Sequence, residues 1–358
     1  MKYPENLKEN GTIGFVAPSF GCATSPYKEG FQNALHKWEE AGYGIDLGPN
    51  CYANEGIGIS NTPKKCGLEL TDYYLRPKND VLISCGGGEL MCEILEYVDF
   101  RAITNAEPKW YMGYSDNTNM TFLLTTLCDT ASIYGPCASA FGMEPWHPSL
   151  YDAMEILKGE KKVINSYGKW EKESLKDEEH PLLPYQCTED LKLKIFLPKT
   201  QEREDNKEEN QWFEESGSVN MKGRLIGGCM DSLVNLLGTR FDKVKEFADK
   251  YKDDGFIWFL EACDLNVFGI RRAMWQMEQA GWFQYVKGFI FGRPLCHGQE
   301  MMGLDQYEAV LPAILKHHVP VIMDADIGHL PPMMPLVCGS MADISAEKVR
   351  MSVKMEFK

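Results

Sequence analysis

Positive charge is in short supply in this sequence. Its 37 lysines and arginines face 52 aspartates and glutamates, for a formal net charge of -15. That balance argues against nucleic acid as a partner, because phosphate recognition rests on clustered Lys and Arg. It does not restrict small substrates, since the charge within a cleft can oppose the global sign. No apolar run is long enough to span a membrane, and Met1-Lys-Tyr-Pro-Glu-Asn-Leu7 has no apolar signal core, so no membrane association is expected. The twelve cysteines form no Cys-x-x-Cys and no Cys/His cluster of zinc spacing. Reduced thiols in a cytoplasmic protein without a metal are the simplest reading, and the adjacent pair Cys296-His297 reads as packing. Gly86-Gly87-Gly88 follows a strand-like run. However, a dinucleotide fingerprint needs glycine where Met91 stands, and no Lys-Ser/Thr follows to make a P-loop. No cofactor is expected.

What is present is an alternation of short apolar runs with amphipathic stretches. Gly11-Thr-Ile-Gly-Phe-Val-Ala-Pro18, Asp80-Val-Leu-Ile-Ser-Cys85 and Trp110-Tyr-Met-Gly-Tyr114 read as buried strands. Helical periodicity covers 26–41, 64–75, 89–97 and 117–127, with Phe31, Ala34, Leu35 and Trp38 on one face of the first. Such alternation predicts βαβ units and a parallel sheet covered by helices. The character changes over 166–219, where 199–210 is polar and aperiodic and reads as a solvated loop or insertion. Order returns with strands at 223–228, 256–261, 286–294 and 319–323, separated by helices near 230–237, 268–280 and 306–317. The length of 358 residues favours two domains, placed at 1–165 and 220–358 with a linker and insertion over 166–219.

The chemistry concentrates at Gly113-Tyr114-Ser115-Asp116, where a strand meets a helix. A serine there can project its hydroxyl from the sheet edge while free N–H groups of the helix start face the reacting oxygen. The match to Gly-x-Ser-x-Gly is incomplete, because Asn117 replaces the second glycine, and Ser115 or Asp116 could equally cap the following helix. The triple glycine has two readings as well. It is either a plain strand-to-helix turn or the wall of an oxyanion hole, offering an N–H at Gly87 or Gly88.

Several runs resemble one family in order along nearly the whole chain. They are the opening 11–19, Ile94-Leu-Glu-Tyr-Val-Asp99, Pro108 through Thr118, Tyr134-Gly-Pro136, Gly223-Arg-Leu-Ile-Gly-Gly228, Trp258-Phe-Leu-Glu261, Gly288-Phe-Ile-Phe-Gly-Arg-Pro294 and Gly328-His329 with Pro331 and Pro335. Together they resemble the LD-carboxypeptidase and microcin-C self-immunity serine peptidase family. The resemblance implies a Ser-Glu-His triad of Ser115, Glu261 and His329. It also implies an oxyanion hole from the N–H groups of Asp116 and Gly87, a flavodoxin-like N-terminal domain akin to class I amidotransferases, a swivelling β/α C-terminal domain, and a homodimer. The residues suit these roles: serine needs a base, histidine titrates near neutrality, and a carboxylate on the far ring nitrogen fixes the tautomer. Read alone, Glu261 could be an ordinary strand-end acid and His329 a loop histidine satisfied by backbone.

One departure bears on substrate. Many members of the family carry an Arg-Gly-Gly-Tyr-Gly turn, whereas this chain has Gly86-Gly87-Gly88-Glu89, closer to the microcin-immunity branch. Gly88, Glu89, Trp170 and Trp212 are candidate substrate contacts, the tryptophans as stacking surfaces for a planar group; domain-interface packing is their alternative role. The substrate is expected to be a peptidoglycan tetrapeptide or an amide linking a peptide or aminoacyl group to a nucleotide-like moiety. A non-catalytic binding protein on the same fold, or an α/β-hydrolase esterase, would be the other readings.

Overall fold

The computed structural model describes residues 1–199 and 213–357. Five short strands, β1 (Thr12–Val16), β2 (Gly44–Leu47), β3 (Val81–Ser84), β4 (Trp110–Gly113) and β5 (Ser132–Tyr134), form a parallel sheet in the order β2-β1-β3-β4-β5. Apolar side chains fill β1, β3 and β4 because helices cover the sheet, as in buried parallel strands generally. The helix Tyr27–Glu40 buries Phe31, Ala34 and Trp38 against it and leaves Leu35 half-buried. Phe15 of β1 packs on Phe31 at 5.5 Å and on Trp38 at 5.1 Å between ring centroids. Each such fully buried side chain contributes about 1.5–3 kcal/mol relative to exposure.

After β5 the chain passes through β6 (Val163–Asn165), a small ribbon of β7 (Lys169–Trp170) and β8 (Glu189–Asp190), and a hairpin of β9 (Lys194–Pro198) and β10 (Phe213–Glu215). The expected polar loop, beyond Lys199, lies outside the described residues, as does Trp212. The second sheet is built around β11 (Ser218–Cys229), β12 (Phe256–Glu261), β13 (Val286–Gly292) and β14 (Val321–Ala325), all parallel. The last strands are β15 (Leu336–Cys338), β16 (Met341–Glu347) and β17 (Arg350–Glu356). The second sheet runs β10-β9-β14-β13-β12-β11-β16-β17-β6, whereas β15 pairs antiparallel with β5 and completes the first. Each sheet thus takes an edge strand from the other half of the chain, and the fold is a two-domain α/β arrangement whose halves are joined at both seams.

The expected strands and helices are found, with shifts at their ends that have local causes. The helix expected over 89–97 is a 3-10 helix, Met91–Tyr97. The N–H groups of Glu89 and Leu90 both bond the Gly58 carbonyl and that of Met91 bonds the Asp116 carboxylate, which draws its start into a tight turn. Near residue 306 the helix ends at Ile314 and continues as a 3-10 turn, Leu315–His317, closed by His318 in the left-handed region. Glu69, buried on the helix Pro63–Leu75, accepts the N–H of Ala17 (3.2 Å) and of Asn50 (2.9 Å). That clamp fixes the loop after β1, which carries Ser19 and Phe20 to the candidate site.

Candidate active site

The site lies at the C-terminal ends of the strands of both sheets, where open α/β folds leave crevices for ligands. Ser115 follows β4 and takes φ +62, a left-handed conformation uncommon for a side-chain-bearing residue and costing about 1–3 kcal/mol. A single 3-10 turn, Ser115–Asn117, then leads into the helix Thr118–Thr126. The turn is held from beneath. Asn117 donates to the carbonyls of Gly86 (2.8 Å) and Tyr114 (3.1 Å) and accepts the Tyr111 hydroxyl at 2.5 Å. This is what asparagine does in place of a second glycine. Gly113 makes room for it: a Cβ at 113 would lie 2.8 Å from the Asn117 Cβ.

The capping alternative for Ser115 and Asp116 is not what the side chains do, since the helix starting at Thr118 has no side-chain cap. The buried Asp116 carboxylate accepts the Ser19 hydroxyl (2.5 Å), the Met91 N–H (2.9 Å) and the Asn119 amide (3.0 Å). Burial pushes its pKa up to about 6 against those hydrogen bonds. It therefore ties the turn to the loops after β1 and β3, with its acid engaged away from Ser115.

Glu261 ends β12 and is 1% exposed. His329 lies in the loop after β14, brought against Glu261 by Gly328 at φ +102. A Cβ on residue 328 would lie 2.6 Å from Glu261 Oε2, so only glycine allows that approach. His329 Nδ1 is 2.8 Å from Glu261 Oε2, and its Nε2 is 2.8 Å from Ser115 Oγ. The three side chains, 214 residues apart between Ser115 and His329, thus form one hydrogen-bonded line. With Glu261 ionised, Nδ1 carries the proton and Nε2 is left to accept from the serine. Burial opposes charge on both groups, yet each holds the other's charge: Glu261 stays below the usual carboxylate range and His329 is held well above its ordinary value.

Gly87 sits directly against the serine, where a Cβ would lie 3.2 Å from Ser115 Cβ and 3.3 Å from Oγ. Its carbonyl accepts from Phe20 N–H at 2.8 Å, and among the described residues the N–H groups of Gly87 and Asp116 have no partner. Gly88 packs beneath the loop of Ser19 and Phe20. Glu89 is exposed at the rim, its pKa raised first by burial and then by the charges of Asp264 and Asp231, with His329 opposing. Trp170 is 6% exposed, with the Arg293 guanidinium 4.9 Å over its ring and His297 5.3 Å away. Its ring is thus engaged by side chains of the protein itself. The other histidine contacts lie elsewhere, as with His317 on Glu278 at 2.5 Å.

Two neighbours escaped the sequence reading. Tyr134 belongs to the Tyr-Gly-Pro run, yet nothing local marks its hydroxyl, which donates to Glu261 Oε1 at 2.5 Å. Cys229 ends β11 in register with Glu261, and its thiol lies in a group with Glu261 and His329 whose ligand atoms are all within 4.8 Å. The alternation of β11 could have placed Cys229 at a strand end, but not beside an acid on another strand. No other group of this kind occurs among the described residues, and two of its three members are already bonded to each other.

The likeness to known proteins follows the same layout. Residues 13–135 match the model of the LD-carboxypeptidase N-terminal domain and residues 222–344 that of the C-terminal domain. The chain is 25% identical over 363 residues to the microcin C7 self-immunity protein MccF of Escherichia coli, covering 98% of this chain and 95% of that one. It is 24% identical over 360 residues to the "Probable murein peptide carboxypeptidase" of Bacillus subtilis, covering 96% and 92%. Among solved structures, wild-type apo MccF superimposes with a TM-score of 0.77 at 20% identity, covering 100% of this chain and 99% of that one. An MccF-like protein from Bacillus anthracis gives 0.76 at 21% identity, covering 99% and 100%. With both domain models matched in order and the fold shared end to end, the chain belongs to the LD-carboxypeptidase family of serine peptidases.

Proposed function

We propose that this chain hydrolyses a peptide-like amide with Ser115 as nucleophile, His329 as general base and acid, and Glu261 as the carboxylate that orients His329. The observation that carries the reading is the unbroken line Ser115 Oγ–His329 Nε2–His329 Nδ1–Glu261 Oε2, with both contacts at 2.8 Å. Serine is a weak nucleophile until a base takes its proton, and Nε2 is within reach to do so. Attack on the carbonyl carbon creates an oxyanion beside the glycine turn, where the free N–H groups of Gly87 and Asp116 would receive it. His329 then gives its proton to the leaving amine. A water, deprotonated by the same nitrogen, releases the acyl group from Ser115. The charge of Glu261 stabilises the imidazolium in both halves of the cycle.

For substrate we favour an aminoacyl or peptidyl group joined by an amide to a nucleotide-like moiety over a muropeptide. Glu89 after the glycine turn supports this branch, and MccF itself has been solved with aspartyl sulfamoyl adenosine and with adenosine monophosphate. Mass spectrometry after incubation with an aminoacyl sulfamoyl nucleoside and, separately, a muropeptide tetrapeptide tests both readings. Release of the nucleoside supports the first and loss of D-Ala the second. If neither compound changes and a fluorophosphonate leaves Ser115 unlabelled, the hydrolase reading fails.

Two further outcomes follow from the geometry. Because the base must be neutral to accept a proton, kcat/KM should fall as pH drops through the His329 pKa. Burial lowers that pKa, but the Glu261 charge and the Cys263 contact raise it further, so the midpoint should lie above the ordinary 6.5. A pH–rate profile with its acid midpoint at or below that value would contradict the paired geometry. Gly328→Ala places a methyl group against Glu261 and forces a left-handed φ on alanine. Displacing His329 by even 1 Å should slow fluorophosphonate labelling of Ser115 about 100-fold; an unchanged rate would mean that the loop's approach does not set the histidine.

A further inference from the structure

We infer that Tyr134 is a positioning residue that acts through Glu261: its hydroxyl holds the carboxylate in the orientation that serves His329 and ties that orientation to the backbone of Ser115. This rests on the hydrolase reading above and adds a fourth group to it. Tyr134 ends the last parallel strand of the first sheet, whereas Glu261 comes from the middle of the second. The hydroxyl donates to Glu261 Oε1 at 2.5 Å and accepts the Ser115 N–H at 3.3 Å. Proton counting fixes both directions, since an ionised carboxylate only accepts and an amide N–H only donates. Burial, and after it the charge of Glu261, keep the phenol protonated for that role.

Both Glu261 oxygens are thereby spoken for, Oε1 by Tyr134 and Oε2 by His329, in a side chain with almost no access to water. The tyrosine ring cannot swing away, because Phe259 packs on it at 5.5 Å and Tyr114 at 6.4 Å; Tyr114 in turn lies 5.1 Å from the His329 ring. Without the hydroxyl, Oε1 loses its donor and the carboxylate becomes more basic. Its grip on the His329 proton then tightens, while the N–H of an already strained Ser115 is left unpaired.

The test is the pH dependence of Ser115 labelling by a fluorophosphonate, followed by intact mass, in the wild type, Tyr134→Phe, Glu261→Gln and the double variant. Tyr134→Phe should label about tenfold more slowly or worse, with its acid midpoint moved to higher pH. In the Glu261→Gln background the same change should cost less than about twofold, because the group it acts through is already gone. A wild-type rate and midpoint in Tyr134→Phe, or a loss that adds in full to that of Glu261→Gln, would overturn the inference while leaving the hydrolase reading intact. A wild type that is not labelled at all overturns both. Should Tyr134→Phe not fold, a ring-fluorinated tyrosine at 134 supplies a stronger donor in the same place. It must then move the midpoint to lower pH, and an unmoved midpoint counts against the role.

Discussion

Ser115→Ala should abolish fluorophosphonate labelling and lower turnover of the amide substrate about a million-fold, the scale on which loss of a triad serine acts. The argument is local. Among the described residues Oγ is the only hydroxyl in contact with His329 Nε2, and it projects from a turn whose φ of +62 is maintained by Asn117 below and by the Asp116 carboxylate behind. Alanine keeps the backbone and removes only the attacking atom, so folding should be unchanged and a crystal structure of the variant should superimpose on the wild type. Residual labelling at any other serine, with retained turnover, would remove Ser115 from the mechanism. The variant should also bind intact substrate without consuming it, which makes it the natural form in which to identify that substrate.

Glu261→Gln should cost about four orders of magnitude in kcat, with KM little changed. The carboxylate offers one oxygen to the Tyr134 hydroxyl and the other to the Nδ1 proton of His329. An amide has a single accepting oxygen. If that oxygen stays with Tyr134, the amide NH2 faces Nδ1, the proton moves to Nε2, and Nε2 no longer accepts from Ser115. With the amide flipped, the tyrosine proton is left against a donor in a site closed to water. Either orientation wastes one of two required hydrogen bonds, and neither carries the negative charge that holds His329 above its ordinary pKa. The acid limb of the pH–rate profile should therefore move down as the rate collapses. A variant within tenfold of the wild type would mean that Glu261 is a scaffold acid with no part in orienting the base.

The elements of the fold were legible because their signals are local. Apolar runs such as 81–84 and 256–260 are long enough for a strand and too short for a helix, and the periodicity of 27–40 leaves one face for the sheet. Strand exchange at the edges was not legible. Val163–Asn165 and Leu336–Cys338 are three-residue segments whose partners are chosen by what the rest of the chain leaves unpaired. The 3-10 form of Met91–Tyr97 likewise depends on an acid 25 residues away taking the Met91 N–H.

The candidate site divides along the same line. A serine after a strand, a glycine turn, an acid ending an apolar strand and a histidine in a Gly-His-Leu-Pro-Pro loop could each be picked out in the sequence by residue type and by the order of their motifs. The composition, poor in positive charge, argued against nucleic acid as a partner. Only tertiary structure decided that Ser115, His329 and Glu261 meet at hydrogen-bond distance, that Asp116 turns its acid away, that Trp170 is engaged by Arg293, and that Tyr134 closes the circuit between the two sheets. The reason is physical. Local sequence sets which backbone conformations are cheap, whereas contacts between groups on different elements, from 25 to 214 residues apart here, are set by how the elements and the two sheets pack.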